Sequence, residues 1–324
     1  MQSSPRRTQA WQGASWLLGL ISLAALAGVV ARRGDIERFA RLLHALAPGW
    51  LVLGLVLQAG TYACVALAWD LGLRQNGIHR PVRELLALAL GKLFVDQSVP
   101  VGGVGGTAFV VATLHRHGVP HGACLGTLVL NLLGQYLAYL VAAGGVTGSL
   151  WLAHQAHAWM LGITGAFVLV CVAAPLVMVL VLRLGRRLPR SLLRLPGMAP
   201  LARTLADVPA GMLRKRRLPA IAALNLALIA LDAATLWAML HALGLPAPFR
   251  HALPGYLLAL MVTTVAPIPM GLGAFEATGV AALTSQGVPI EGALAATLLL
   301  RGYTTWLPML PGWLVAHRAL RRMR

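Results

Sequence analysis

Long runs of hydrophobic residues recur along the whole chain, separated by short stretches rich in Arg, Pro and Gly. A transmembrane α-helix needs about 20 mainly apolar residues, and six of the runs reach that length. They cover about 14–31, 49–71, 121–145, 157–183, 219–243 and 290–316. The pattern predicts an all-α, polytopic membrane protein with about six full transmembrane helices.

The first of these runs can be interpreted in two ways. Arg6 and Arg7 precede it, and Ala25-Leu26-Ala27 resembles the cleavage site of a signal peptide. The run nevertheless continues beyond that site to Ala31. We therefore expect an uncleaved first span rather than a cleaved signal peptide.

Two further regions, about 82–118 and 251–287, have a different pattern. Each holds two apolar pieces of about 14 to 17 residues with Pro and Gly between them. At 1.5 Å per residue such a piece reaches only about 21–26 Å, which is short of the roughly 30 Å hydrocarbon core. We expect each region to form a re-entrant helical hairpin that enters and leaves the membrane on the same side. The predicted breaks are Pro100, Gly102, Gly103, Gly105 and Gly106 in the first hairpin, and Pro267, Pro269, Gly271 and Gly273 in the second.

The two hairpins are also related in sequence. At an offset of 169 residues Pro100 falls on Pro269, Gly102 on Gly271, and Gly118-Val119-Pro120 on Gly287-Val288-Pro289. With alternating topology the hairpins enter from opposite sides. The single membrane domain 1–324 is therefore expected to hold an inverted repeat, with units of about 82–145 and 251–316. Inverted repeats with broken helices are typical of transporters, whose substrates bind near the membrane midplane.

Composition and charge agree with this interpretation and set the orientation. Only 11% of the residues are charged, against about a quarter in soluble domains. The net charge of +18 suggests nucleic-acid binding at first. The basic residues lie in short loops, however, where attraction to anionic lipid and the positive-inside rule explain them, so we expect no nucleic-acid partner.

The basic loop 184–218 is placed in the cytoplasm, and both termini with it. One basic segment, with Arg32, Arg33, Arg38 and Arg41, then falls outside, and we interpret it as an amphipathic helix on the membrane face.

The sequence gives no indication of a cofactor or metal site. Cys64, Cys124 and Cys171 lie within apolar runs without CxxC spacing, and His154 and His157 have no evident further ligand. Phosphate-loop, nucleophile-elbow and HExxH motifs are missing, as is a soluble segment large enough for a catalytic domain. We therefore expect no enzyme, and a membrane-embedded transferase is the less favoured alternative.

Ionisable side chains within apolar segments mark candidate functional positions, because each costs at least about 2.5 kcal/mol at the bilayer centre. Lys92 and Asp96 are four residues apart and share a helical face. Glu276 follows the second break, Asp232 lies in the fifth span and Arg301 in the sixth. Nearby polar candidates are Thr107, Asn131, Gln135 and Tyr303.

Two interpretations of these residues stay open. In the first, Arg301 and Lys92 bind a lipid phosphate, since a guanidinium can donate two parallel hydrogen bonds to it. Glu276, Asp232 and Asp96 then hold the cations when the site is empty, or exchange protons. In the second, Lys92–Asp96 and Glu276–Arg301 are internal pairs that only fix helix packing.

The sequence resembles the lysylphosphatidylglycerol synthase/flippase membrane-domain family, which includes stand-alone proteins associated with hopanoid and glycolipid pathways, often called HpnL-like. The resemblance covers about Asp35 to the C-terminus and is strongest at "VPVGGVGGTAFVVATLHRHGV" and "APIPMGLGAFEATGVAALTSQGVPIEGALAATLLLRGYTTWLPMLPG". The second stretch looks like the family's Pro–Gly–acid hairpin, followed by a helix that ends in Arg and an aromatic residue. This match implies roles for Pro269, Gly271, Gly273, Glu276, Arg301 and Tyr303.

The first stretch departs from the family's commonest form. Many relatives have an acid and an arginine after the glycines, where this chain has Thr107, Ala108 and Phe109. The repeat places Thr107 opposite Glu276, so the acid is present in one hairpin only. A symmetric pair of sites is therefore not implied.

The resemblance also implies a function. In the family the membrane part is linked to moving an aminoacylated phospholipid between leaflets, while a separate soluble domain makes that lipid. This chain ends eight residues after the last predicted span, so we expect no synthase.

We expect a flippase-like lipid translocator of the bacterial inner membrane. Its partners would be membrane lipids (an anionic or aminoacylated phospholipid, a glycolipid or a hopanoid), with a separate lipid-synthesising enzyme and a homo-oligomer as further candidates. The alternative is a non-catalytic membrane partner that presents lipid to a separate synthase or transferase.

Overall fold

The computed structural model describes residues 46–98, 104–152, 154, 157–184, 208, 217–266, 271 and 273–321. Regular structure within these residues is helical throughout. In chain order the helices are α1 Pro48–Arg74, α2 Val82–Ser98, α3 Val104–Arg116, α4 His121–Leu152, α5 Ala158–Leu184, α6 Leu218–Ala242, α7 Phe249–Val265, α8 Ala274–Thr284, α9 Ile290–Arg301, a π-helical turn at Gly302–Trp306, and α10 Leu307–Arg321. The predicted all-α class is confirmed.

Four of the described helices, α1, α4, α5 and α6, are long and apolar enough to cross a membrane. They coincide with the predicted spans 49–71, 121–145, 157–183 and 219–243. In the most apolar stretch of α5 only 22% of the residues are buried, and Leu169 and Leu176 are 69% and 63% exposed. Large apolar side chains over so much of a helix surface are stable against lipid rather than water. The chain is therefore a polytopic membrane protein. The first predicted span, 14–31, and the basic segment after it lie outside the described residues.

The sixth predicted span, 290–316, is helical but not one uniform α-helix. α9, the π-helical turn and α10 follow one another directly, so the helical segment extends from Ile290 to Arg321. The π-helical turn begins immediately after Arg301. Such turns are frequent at functional sites.

Each region predicted as a hairpin contains two packed helices that are short for a membrane span. α2 and α3 have 17 and 13 residues, and α7 and α8 have 17 and 11. Even 17 residues reach only about 26 Å. α2 packs against α3, and α7 packs against α8. Entry and exit on the same side of the membrane stays a prediction.

The breaks between these helices are described in part. In the second hairpin Gly271 and Gly273 have φ angles of 64° and 80°, a left-handed backbone that favours glycine. Both lie between α7 and α8. Five other predicted break residues lie outside the described residues: Pro100, Gly102, Gly103, Pro267 and Pro269.

Gly105 and Gly106 differ from the prediction, because they belong to the first turn of α3 and not to the break. The helix begins at Val104. A Cβ atom at Gly106 would collide with the carboxylate of Asp96 on α2. Glycine at this position thus permits close approach of the two helices rather than a change of chain direction.

The repeat found in the sequence is also a repeat of local structure. Val119 N–H donates to Leu114 O at 3.1 Å, and Val288 N–H donates to Leu283 O at 3.1 Å, 169 positions later. In the same turns Gly118 and Gly287 have φ angles of 82° and 86°. The 32-residue α4 corresponds to the segment from Ile290 to Arg321 at the same offset. The inverted orientation of the two units stays a prediction.

The offset changes at the hairpin tips. α2 and α7 both have 17 residues, but they start at Val82 and Phe249, an offset of 167. Five residues separate α2 from α3 and eight separate α7 from α8, so the second tip is three residues longer than the first.

The chain divides into two compact units, which we name after the hairpin that each contains. The first-hairpin unit comprises Thr61–Ala142, Val168–Leu228 and Pro308–Arg324, and the second-hairpin unit comprises Met1–Gly60, Ala143–Phe167 and Ile229–Leu307. Within the first-hairpin unit Trp69, Leu85 and Leu114 belong to one buried apolar cluster. Within the second, Leu236, Met239 and Leu257 are fully buried. Each hairpin thus has an apolar core around it.

Candidate functional site

In the first-hairpin unit a carboxylate links the two helices of the hairpin. Lys92 Nζ lies 2.6 Å from Asp96 Oδ2, one turn along α2. The Gly106 N–H donates to Asp96 Oδ1 at 2.9 Å. Gly106 lies in the first turn of α3, where N–H groups have no acceptor within the helix. The predicted Lys92–Asp96 pair is formed, and its acid also stabilises the beginning of α3.

The second-hairpin unit contains a similar arrangement built from different residues. Glu276 Oε2 accepts the Gly273 N–H at 2.7 Å, and Glu276 Oε1 accepts the Arg301 Nε–H at 3.2 Å. The side chains of Glu276 and Arg301 are only 2% and 12% exposed. Glu276 is the third residue of α8, so its carboxylate bends back to the amide that precedes the helix. Two of the predicted site residues are thus in direct contact.

An aromatic ring lies beside the guanidinium of Arg301. The Arg301 Cζ is 5.2 Å from the centre of the Phe275 ring, within the range of a cation–π interaction. The Phe275 ring is also in edge contact with Tyr256, with 6.2 Å between the ring centres. The Arg301 guanidinium thus contacts both a carboxylate and an aromatic face.

Asp232, a third predicted site residue, connects to the same cluster through Tyr256. The Tyr256 hydroxyl donates to Asp232 Oδ2 at 2.7 Å, and Gln58 Nε2 donates to Asp232 Oδ1 at 2.8 Å. Gln58 Nε2 also lies 3.0 Å from Thr235 Oγ1. Both of these donors to Asp232 are neutral groups, whereas Glu276 is paired with a cation. We call Asp232, Tyr256, Phe275, Glu276 and Arg301 the arginine cluster.

The sequence comparison covers the arginine cluster and both hairpins. A family model described as the lysylphosphatidylglycerol synthase transmembrane region matches residues 16–312. The chain belongs to this family. No curated protein sequence matches the chain. The lysylphosphatidylglycerol synthase transmembrane family is membrane-associated and linked to lipid handling, so the arginine cluster lies in a protein of that class.

Tyr303 of this family member contacts α1. Its hydroxyl donates to Leu51 O at 3.1 Å. A Cβ atom at Gly54 would lie 3.1 Å from the Tyr303 ring, so the absence of a side chain at Gly54 lets the ring approach α1 closely. The phenol thus anchors the π-helical turn that follows Arg301. The contact supports a positioning role rather than a direct place in the arginine cluster.

The remaining predicted residues lie in the first-hairpin unit. Thr107 is in the first turn of α3, at the position that corresponds to Glu276. Asn131 Oδ1 accepts from Asn225 Nδ2 at 3.3 Å, and Gln135 Nε2 donates to the Tyr139 hydroxyl at 2.7 Å. These contacts join α4 to α6 and one turn of α4 to the next. They do not include Lys92 or Asp96.

Three members or neighbours of the arginine cluster were missed by the sequence analysis. Gln58 carried a usable signal, because it is a polar residue in the middle of an apolar run. Tyr256 and Phe275 carried none, since aromatic residues are ordinary in membrane helices. Their roles depend on the packing of α6, α7 and α8, which the sequence pattern does not specify.

Proposed function

We propose that this protein is a flippase-like lipid translocator of the bacterial inner membrane, with both termini on the cytoplasmic side. The headgroup of a phospholipid or related polar lipid binds at the arginine cluster while its acyl chains stay in the bilayer. The observation that carries the proposal is the buried Arg301–Glu276 pair beside the break of the second hairpin.

A lipid phosphate has the chemistry to replace the Glu276 carboxylate. Arg301 can make charged hydrogen bonds to phosphate oxygens as it does to carboxylate oxygens. The Gly273 N–H, now bound to Glu276 Oε2, lies at the beginning of α8, where the helix dipole favours an anion. A phosphate that displaces Glu276 therefore gains both an arginine and a backbone donor.

The ion pair also explains how the cluster tolerates burial when no lipid is bound. An isolated guanidinium in a membrane interior is costly, and Glu276 neutralises it. When phosphate takes Arg301, the displaced Glu276 carboxylate needs a proton or another partner. Asp232, which accepts from the Tyr256 hydroxyl, is the second acid of the cluster and the candidate for proton exchange with Glu276.

The transported lipid is an anionic or aminoacylated phospholipid, a glycolipid or a hopanoid, and a separate enzyme supplies it. The protein itself has no catalytic role in this proposal and uses no metal or cofactor. A non-catalytic partner that presents lipid to a synthase is the alternative. The two differ in whether the purified protein alone moves lipid.

The test is reconstitution in liposomes that carry a trace of lipid with a fluorescent headgroup. Phosphatidylglycerol, aminoacylated phosphatidylglycerol and phosphatidylethanolamine are compared, and a membrane-impermeant quencher reports the leaflet of the probe. The variants are Arg301→Ala, Arg301→Lys and Glu276→Gln. Arg250→Ala is the matched control, because Arg250 is an exposed arginine at the beginning of α7.

We expect lipid movement by the wild type and by Arg250→Ala. Arg301→Ala should lower the rate at least about tenfold, the effect of losing one charged hydrogen bond. Arg301→Lys should recover part of it, since the charge stays but the planar donor set is lost. Failure of the wild type to move any lipid of the panel, or equal rates for Arg301→Ala and wild type, would contradict the proposal. Unchanged variants together with co-purification of a synthase would favour the partner alternative.

A further inference from the structure

A cavity of about 440 Å³ lies within the first-hairpin unit, where α2 begins and α3 and α10 end. Its lining includes Glu84 and Leu88 from α2, Arg116 at the end of α3 with His117 just after it, and Val315 and Arg318 from α10. The volume is in the range of small-ligand sites, which are usually about 300–1,000 Å³. No residue of the arginine cluster lines it.

The charged groups of the cavity leave a positive excess. The carboxylate of Glu84 lies 3.5 Å from His117 Nε2 and 3.9 Å from Arg80 Nη1, so the one acid of the lining already has partners. Arg116 and Arg318 are exposed at the cavity, and within the described residues neither forms an ion pair with a carboxylate. Two guanidinium groups therefore line the cavity, and no carboxylate among the described residues neutralises them.

The other lining residues are apolar apart from Thr113. Leu88 is buried in the lining, beside Val315. Just before Arg318, α10 exposes Leu310, Trp313 and Leu314, and the Trp313 ring stacks on His317 at 5.5 Å between ring centres. Trp residues concentrate at membrane–water interfaces. Arg318 thus follows a lipid-facing surface and stands where lipid headgroups are expected.

We propose that this cavity binds the headgroup of an anionic phospholipid, with its phosphate between Arg116 and Arg318 and its acyl chains along the exposed apolar face of α10. The apolar face beside the two arginines is what favours a lipid over free phosphate. The site is separate from the arginine cluster and does not depend on the proposed transport function.

The second hairpin gives an internal comparison. At its corresponding end a smaller cavity of about 190 Å³ is lined by His251 and Gln286, which stand in place of Glu84 and His117. Ser285 occupies the position that corresponds to Arg116 at the 169-residue offset. The repeated fold therefore does not by itself require arginine at this position, which the first hairpin has and the second does not.

Native mass spectrometry of the detergent-purified full chain can test this site. Phosphatidylglycerol is titrated into the protein, with phosphatidylcholine and inorganic phosphate as comparison probes. The variants are Arg116→Gln, Arg318→Gln, the double variant R116Q/R318Q and the charge-conserving pair R116K/R318K. Arg321→Gln is the matched control, because it removes an exposed arginine from the same helix without changing the lining.

We expect each single variant to weaken retention of the phosphatidylglycerol in this cavity by about tenfold, since each removes a charged hydrogen-bond donor, and R116Q/R318Q to bind one phosphatidylglycerol fewer per chain than the wild type. R116K/R318K should bind more weakly than wild type but more strongly than R116Q/R318Q. Arg321→Gln should bind as many phosphatidylglycerols per chain as the wild type. The number bound per chain separates this site from the arginine cluster, which R116Q/R318Q leaves intact.

Three results would overturn the proposal. The first is wild-type retention by R116Q/R318Q with an unchanged elution volume in size-exclusion chromatography. The second is an equal loss in Arg321→Gln, which would indicate a diffuse surface charge. The third is equal binding of phosphatidylcholine, or displacement of the lipid by millimolar inorganic phosphate. If the double variant does not fold, the single variants and R116K/R318K decide the same question.

Discussion

Asp96 and Glu276 make the same pair of contacts in the two hairpins, although they do not occupy corresponding positions. In each carboxylate, one oxygen accepts a backbone N–H near the start of the hairpin's second helix. The other oxygen accepts a hydrogen bond from a cationic side chain. Asp96 does so from the first helix of its hairpin, and Glu276 from within the second helix of its own. Both hairpins thus use an acid to neutralise a cation and a helix N-terminus together.

The two pairs should contribute very differently to stability. Glu276 and Arg301 are almost fully buried, and removing one partner of a buried pair typically costs about 3–5 kcal/mol. We expect Glu276→Gln and Arg301→Gln each to lower the unfolding temperature strongly. The double variant should be less destabilised than the sum of the two, because no charge is left alone. Thermal unfolding in detergent measures this cycle.

For the same measurement Arg250→Gln serves as control and should leave the unfolding temperature unchanged, since Arg250 is exposed. Additive effects of Glu276→Gln and Arg301→Gln would show that the two side chains do not interact.

Lys92→Gln is expected to have a smaller effect than Arg301→Gln. The side chains of Lys92 and Asp96 are 29% and 21% exposed, so solvent and headgroups screen their interaction. Partly exposed pairs four residues apart on a helix contribute about 0.3–1 kcal/mol. Asp96→Ala should cost more than Lys92→Gln, because it removes the acceptor of the Gly106 N–H as well as the partner of Lys92. Unfolding temperatures of the two variants in one detergent test the order, and the reverse order would show that the amide contact contributes little.

Much of the fold could be predicted from sequence because lipid demands long apolar helices with internally satisfied backbones. The spans 49–71, 121–145, 157–183 and 219–243 follow from length and apolarity alone, and the hairpins follow from Pro and Gly within short apolar pieces. The placement of Gly106 in α3 could not be predicted, because it depends on contact with Asp96 rather than on local propensity.

The candidate site was predictable to a similar degree. The cost of ionisable groups in apolar segments identified Arg301, Glu276 and Asp232, and the structure brings them into one cluster. The sequence could not show that Tyr256 and Phe275 connect these three residues. The rotation of α7 and α8 about their axes is set by packing, which the sequence pattern does not specify. Tyr303 was assigned to the site as a nearby polar residue and by resemblance, whereas its hydroxyl is bound to α1.

Asp232→Asn should reveal the contact with Tyr256. The two Asp232 oxygens accept from two donors, Tyr256 and Gln58, and an asparagine side chain has only one oxygen. One buried donor loses its acceptor, at a cost of about 1–3 kcal/mol. Tyr256→Phe removes that donor, so D232N/Y256F should be more stable than the sum of the single variants predicts. If the effects of Asp232→Asn and Tyr256→Phe on thermal unfolding were strictly additive, Tyr256 would not be the donor that loses its acceptor in Asp232→Asn.

The break of the second hairpin should be sensitive to side chains at Gly271 and Gly273. Both have positive φ angles, 64° and 80°, where an L-residue is disfavoured by about 1–2 kcal/mol. A Cβ atom at Gly271 would also lie 2.5 Å from Thr263 Cγ2, so Gly271→Ala should be the more destabilising of the two variants. Adding Thr263→Ser removes that methyl group and should recover the steric part of the loss but not the backbone part.

Gly144→Ala is the control for the break, because Gly144 lies within α4 and a Cβ atom there meets nothing within 4 Å. Alanine is the better helix former by about 1 kcal/mol, so this variant should be at least as stable as the wild type in thermal unfolding. If Gly271→Ala behaved like Gly144→Ala, the left-handed backbone at the break would not be required. Complete recovery by Thr263→Ser would instead assign the whole effect to the collision with Thr263.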